Sequence, residues 1–347
     1  MVRAAPGDGA DVGADCHHGP MPSAAVPAAA RPAADAELVW DPGGALHLGQ
    51  TLGVLARGAH DPLVRVLSPE LVWVVTRTAE GPVSACYSRP GPGPSLRRPV
   101  RVRAWGPGAA AFLAEAPRWA GAEDSWAGFE ASPAFAALPE RLRTARRLHP
   151  GLRLPSTGRV LDRAVLSVLE QRVTVREAVA AHRLLVRRHG QPAPGPAPEG
   201  MHVPPTAEAW RAVPVWEWHR AGVDGARAAT VRRVAERAAA LERLGRAPLD
   251  AGLHRGLRSV PGLGPWTVAE IVQCTHGDPD SVSVFDFHLA AWVCWFFDRR
   301  PGDDRRMLEL LEPWRGDRQR VVRLLRASGF RKPSFAPRLH PEDHRHR

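Results

Sequence analysis

The sequence predicts an α+β chain in which a small N-terminal antiparallel β-sheet domain is followed by an all-α, two-lobed domain. Three observations predict it. Before residue 121, short runs such as LVWVVTRT, PVSACYS and PVRVRAW alternate or are rich in β-branched residues, with Gly/Pro turns between them. From about residue 131 apolar residues recur at helical spacing instead. The length of 347 residues is enough for two domains and a sizeable core.

In chain order, residues 1–36 are rich in Ala, Pro and Gly with little patterned hydrophobicity, which predicts a disordered tail. The sheet domain is predicted over 37–130, with one helix at 109–116, and the helical domain over 131–332. The segment QPAPGPAPEG at 191–200 interrupts the helical pattern and predicts a surface loop between the lobes. Residues 333–347, rich in Pro and His, read as a second disordered tail.

Most of the chemistry lies between 255 and 289, RGLRSVPGLGPWTVAEIVQCTHGDPDSVSVFDFHL. Asp250 is a candidate N-cap for a helix with Leu253 and Leu257 on one face, and Pro261 and Gly262 stop it. Gly264 is expected to permit a tight reversal. Pro265 then opens a second helix at the position that best tolerates proline, with Trp266, Ala269, Ile271 and Val272 as its apolar stripe. Such a hairpin presents backbone N–H groups at a helix N-terminus, and Gly262 and Gly264 carry no side chain to hold a phosphate away. Gly262, Gly264 and Thr267 are therefore candidate contacts to a nucleic-acid backbone. The same residues also fit an ordinary helical corner.

Asp286 follows the turn residues Asp278, Pro279 and Asp280 and precedes another apolar helix. By itself it reads first as a helix cap, and a fixed carboxylate there could also stabilise a positively charged sugar. Trp266 fits a core position, or a ring that stacks on a base and favours a cationic one. Trp292 and Trp295 read as core. In RVLDRAVLSVLEQRVTVREA the polar pair Gln171-Arg172 interrupts a helical face made by Val165, Leu166, Leu169 and Val173.

Together, LRSVPGLGPWTVAEI, the following Gly/Pro/Asp loop and VFDFHL resemble the helix-hairpin-helix DNA glycosylase superfamily, in particular its alkylpurine (3-methyladenine) glycosylase II branch, over about 143–314. The resemblance implies that Asp286 is the catalytic carboxylate and that Gln171 and Arg172 enter DNA, with Arg172 at the position of the wedge that replaces a flipped base. A solvated helix end is the plain alternative for that pair. Relatives that also cut the strand carry a lysine two residues past the second hairpin glycine; here that position is Trp266, and Lys332 is the only lysine. The resemblance thus implies a monofunctional enzyme that leaves an abasic site, with Trp266 contacting the substrate. It further implies no required cofactor, a structural alkali cation on the backbone carbonyls of Arg258, Val260 and Leu263, and a monomer acting on double-stranded DNA that contains damaged bases. Gly222, Arg227 and Ala228 match an architectural segment, and the N-terminal sheet has its counterpart in the alkylpurine branch.

The formal net charge of +11 and a pI near 11.0 favour polyanionic partners, although arginine also accumulates for reasons unrelated to binding. Cys16, Cys86, Cys274 and Cys294 are too scattered for a cluster, which argues against an iron–sulfur loop; Cys274 and Cys294 are expected to be buried. No apolar run reaches membrane-spanning length and no signal pattern opens the chain, so a cytoplasmic protein is expected. Two other functions fit: a non-catalytic helix-hairpin-helix lesion sensor, and a glycosylase for oxidised or deaminated bases. Hydrogen-bonding pocket walls would favour oxidised bases, and aromatic walls alkylated ones.

Overall fold

The computed structural model describes residues 33–89, 91 and 95–333. The tail expected at 1–36 lies almost wholly outside them, as do Cys16 and nearly all of 333–347. The sheet has five antiparallel strands: β1 (Ala36–Trp40), β2 (Val64–Ser68), β3 (Leu71–Thr78), β4 (Gly81–Ser88) and β5 (Val100–Trp105), in the order β1-β5-β4-β3-β2. The runs singled out in the sequence are β3, β4 and β5. The edge strands β1 and β2 escaped notice because each is only five residues long and half exposed.

On one face of the sheet the helix Ala109–Trp119 seats Phe112 and Trp119 over Val74, Tyr87 and Val102, and the Tyr87 hydroxyl donates to the carbonyl of Ala116 at 3.0 Å. The other face is also covered, which explains why β3 is apolar nearly throughout instead of alternating. Its cover is the segment expected to lie between the helical lobes. Residues 191–203 form a small hairpin, β6 (Gln191–Pro192) with β7 (His202–Val203), and Met201 and Val203 pack on Trp73, Val75 and Trp105. Its prolines read as a loop, whereas Met201 and Val203 beyond them supply the apolar surface that docks it.

The helices form two cores. One is continuous in sequence and runs from Val160 to Val272, around Leu169, Leu185, Trp210, Trp218, Val231 and Ile271. The second is assembled from distant pieces, Trp126 to Leu152 and Val282 to Leu325, with Leu142, Val293, Met307 and Leu324 buried together. The chain passes from one core to the other through the loop that carries Asp286. No helix among the described residues is long and apolar enough to cross a membrane.

Candidate active site

The helical hairpin forms as expected at its first helix. Asp250 accepts the Leu253 N–H at 2.9 Å, the helix Ala251–Arg258 buries Leu253 and Leu257, and Pro265 opens the helix Pro265–Thr275. The reversal itself falls elsewhere than expected. Gly262 takes the left-handed conformation at φ +100, whereas Gly264 is extended at φ −77 and ψ 179. Side-chain volume adds to the requirement at Gly262, because a Cβ there would lie 2.5 Å from the Thr230 side chain. The N–H groups of Gly262 and Gly264 have no acceptor among the described residues. Leu263 N–H donates to the Val260 carbonyl at 3.0 Å and closes the turn.

Gln171 joins the turn before Arg172 to this hairpin. Its amide nitrogen donates to the Gly262 carbonyl at 3.0 Å and to the Thr267 hydroxyl at 2.9 Å. Arg172 follows it, exposed and left-handed at φ +56, so the chain turns sharply and directs this residue away from the core. Behind the turn, the buried Arg227 donates to the carbonyls of Leu169 and Gly222, which gives it the architectural place expected of it.

Asp286 caps a helix and also borders a cleft. Its Oδ1 accepts the N–H groups of His288 (2.9 Å) and Leu289 (2.8 Å) ahead of the helix Leu289–Asp298, and its Oδ2 accepts the indole N–H of Trp266 at 3.2 Å. Both carboxylate oxygens are thereby oriented. Trp266 is committed to the carboxylate through its ring edge, a role that residue type and spacing did not reveal. Phe285 and Phe287 flank Asp286 at 74% and 77% exposure, and Phe285 is held at φ +66 with its N–H donated to Asp304 Oδ1. Asp278 accepts the N–H groups of Asp280 and Ser281 and so serves as the turn residue expected, while Asp280 pairs with Arg318.

Gln171, Arg172, Gly262, Gly264, Trp266, Thr267, Phe285, Asp286 and Phe287 line one cleft of about 3630 Å³. Trp295, expected in the core, lines it too, and so does Lys332, whereas Trp292 packs inward and donates to the Phe330 carbonyl. Cys274 and Cys294 are buried, as expected.

Beside these aromatic residues the cleft is lined by ion pairs and amides. Arg57 pairs with Glu170 at 2.5 Å and Arg163 with Glu270, and Ser283 donates to Glu270 at 2.6 Å. Burial raises the Glu170 pKa, but Arg57 and Arg163 outweigh it and hold this carboxyl below its ordinary value. Gln273 donates to Ser283 and to the Ser281 carbonyl, and accepts from Gln319 at 2.9 Å. Sequence reading missed this floor because its residues come from five separate segments, and the motifs that two of them carry do not single out Arg163, Glu170, Glu270 or Gln273.

No family model and no curated protein matches the chain by sequence. Solved structures do match its fold. The 3-methyladenine DNA-glycosylase from Archaeoglobus fulgidus superposes with a TM-score of 0.68 at 14% identity, over 85% of this chain and 99% of that one. MBOgg1, solved with a low-affinity DNA ligand, gives 0.63 at 14% identity over 84% and 95%. The Clostridium acetobutylicum 8-oxoguanine glycosylase/lyase, in complex with double-stranded DNA containing cytosine opposite 8-oxoG, gives 0.59 at 9% identity over 84% and 96%. The likeness is one of fold: the sheet followed by a helix-hairpin-helix glycosylase fold is what this chain adopts.

Proposed function

We propose that this protein is a monofunctional DNA glycosylase that extrudes a damaged base from double-stranded DNA and hydrolyses its N-glycosidic bond, leaving an abasic site. The observation that carries the proposal is the Trp266–Asp286 hydrogen bond of 3.2 Å inside the cleft that the hairpin and the Gln171-Arg172 turn also line. Asp286 faces the extruded sugar. As the bond from C1′ to the base nitrogen breaks, positive charge develops on the sugar and the carboxylate stabilises it; water then forms the new C1′–O bond and gives up its proton, while the base departs with the bonding electrons. The unpaired hairpin N–H groups hold a backbone phosphate, and Arg172 stands at the gap left by the base.

Hydrolysis without strand cutting is supported by an indole at position 266 where a lysine would be the nucleophile, and by Lys332, the one lysine, having no partner that orients it among the described residues. The carbonyls of Arg258, Val260 and Leu263 suit an alkali cation, since Val260 O has one lone pair engaged by Leu263 N–H and one left over; the ion would stiffen the hairpin. Alkylated purines of the 3-methyladenine type are supported by the Trp266 ring, and oxidised or deaminated bases by the polar cleft floor.

The test is release of free base from duplexes carrying alkylated, oxidised or deaminated bases, by the protein and by Asp286→Asn, with alkali applied afterwards to reveal abasic sites. Release by the unmodified protein alone is expected, with no covalent adduct captured by borohydride. A trapped adduct would overturn the monofunctional reading. DNA binding without any release would leave a lesion sensor.

A further inference from the structure

The floor of the cleft contains buried polar atoms that the protein leaves without partners. Gln273 donates both amide hydrogens, one to the Ser281 carbonyl and one to Ser283 Oγ, which fixes its oxygen as the acceptor toward Gln319. Gln319 must therefore present its nitrogen to Gln273, and its own Oε1 is left unpaired although the residue is only 6% exposed. Gln50 Oε1, on the sheet side of the same cleft, is likewise buried and unpaired. Arg323 lies one helical turn beyond Gln319 on the helix Arg318–Ala327, on the same face. Among the described residues its single hydrogen bond is to the Gln50 carbonyl at 3.4 Å, and no carboxylate there pairs with it. Burial first, and then the neighbouring Arg326, push its pKa down to about 10. Two other arginines of the floor, Arg57 and Arg163, are neutralised by Glu170 and Glu270, so among the described residues Arg323 carries the uncompensated charge beside these amides, with the exposed Arg326 next to it on the same cleft.

Buried polar atoms without partners are costly, and two amide acceptors beside one cationic donor define what would satisfy them. A carbonyl oxygen takes the guanidinium, and N–H groups next to it donate to the amides. Trp266 and Gln273 share the cleft-lining face of one helix, about 10 Å apart along its axis, so this floor and the Trp266–Asp286 pair belong to one cleft. A cationic alkylated base would bring its charge toward Arg323.

We propose that Arg323, with Gln319 and Gln50, selects neutral keto-bearing bases, the oxidised or deaminated purines, over cationic alkylated ones. This assignment rests on the glycosylase reading of the site and goes further in naming its substrate class.

The test uses Asp286→Asn, so that bound lesions persist, in competition binding with duplexes carrying one hypoxanthine, one 8-oxoguanine, one 7-methylguanine or a stable abasic analogue. Hypoxanthine and 8-oxoguanine, the two neutral keto lesions, are expected to bind at least about fivefold more tightly than 7-methylguanine, which keeps the C6 carbonyl and differs in carrying a positive charge. Adding Arg323→Met should weaken them about tenfold, strengthen 7-methylguanine binding and leave the abasic duplex unchanged. Gln319→Leu should weaken the keto lesions without strengthening 7-methylguanine. Opposite signs on the two lesion classes cannot come from a folding defect. Preference for 7-methylguanine, no preference among the lesions, or equal losses on every duplex would overturn the assignment. A keto preference with no base release by the unmodified protein would instead defeat the glycosylase reading and leave the selectivity standing.

Discussion

Gln171 ties the turn before Arg172 directly to the helical hairpin, with its amide nitrogen 3.0 Å from the Gly262 carbonyl and 2.9 Å from the Thr267 hydroxyl, across more than 90 residues of sequence. The two segments proposed to hold DNA are thereby set at a fixed separation. Removing the amide in Gln171→Ala should lower affinity for lesion-containing duplex by about fivefold to tenfold, since each neutral hydrogen bond contributes about 1 kcal/mol. Fluorescence anisotropy would measure it, and unchanged affinity would show that the link does not organise the DNA surface.

Trp266 donates to Asp286, so its ring edge and its ring face have separable duties. Trp266→Phe keeps an aromatic face and deletes the N–H. A hydrogen bond to a charged group is worth about 1.5–3 kcal/mol, so kcat should fall about 10- to 100-fold with KM nearly constant. A rise in KM with kcat intact would mean that the tryptophan serves only to bind the base.

Phe285 holds φ +66 with its side chain 74% exposed, an uncommon conformation for a bulky residue. The left-handed conformation costs about 1–2 kcal/mol and glycine returns about 0.4–1 kcal/mol of that through a freer unfolded chain. Phe285→Gly is therefore expected to stabilise the protein by roughly 0.5–1 kcal/mol in urea unfolding. Phe287→Gly, which removes a side chain from a position without positive φ, should not stabilise it.

Asp162 titrates at about 7, raised first by burial and then by the neighbouring Glu242. The unfolded chain releases this proton near pH 4 and the fold retains it to about 7. Its contribution to stability is therefore complete below pH 4, declines as pH rises and is gone above 7. Asp162→Asn should raise the melting temperature at pH 8 and flatten the dependence between pH 4 and 7. An unchanged slope would assign that dependence to other groups.

Particular residues show why some of this was legible in the sequence. Asp250, Pro261 and Pro265 act through their own backbone or their immediate neighbours, so the hairpin's helices could be bounded by reading along the chain. The central strands were legible because their β-branched and aromatic runs lie between turns. The reversal was misplaced by two residues because two glycines compete there, and it is the Thr230 side chain, from another helix, that decides for Gly262. Trp295 looked like core because helical periodicity cannot tell a face that packs from a face that borders a cleft.

By itself the sequence determined the order of sheet and helices, the hairpin with its phosphate-accessible glycines, and Asp286 as the carboxylate to watch, because each rests on local backbone preference or a contiguous motif. Only the tertiary structure decided that Trp266 orients Asp286, that Gln171 braces the hairpin, and that the cleft floor is built of charges and amides with Arg323 left uncompensated. Those relations join residues from about 20 to more than 200 positions apart, and the energy of a buried charge or an unpaired amide depends on which partners the fold brings to it, which residue type alone does not specify.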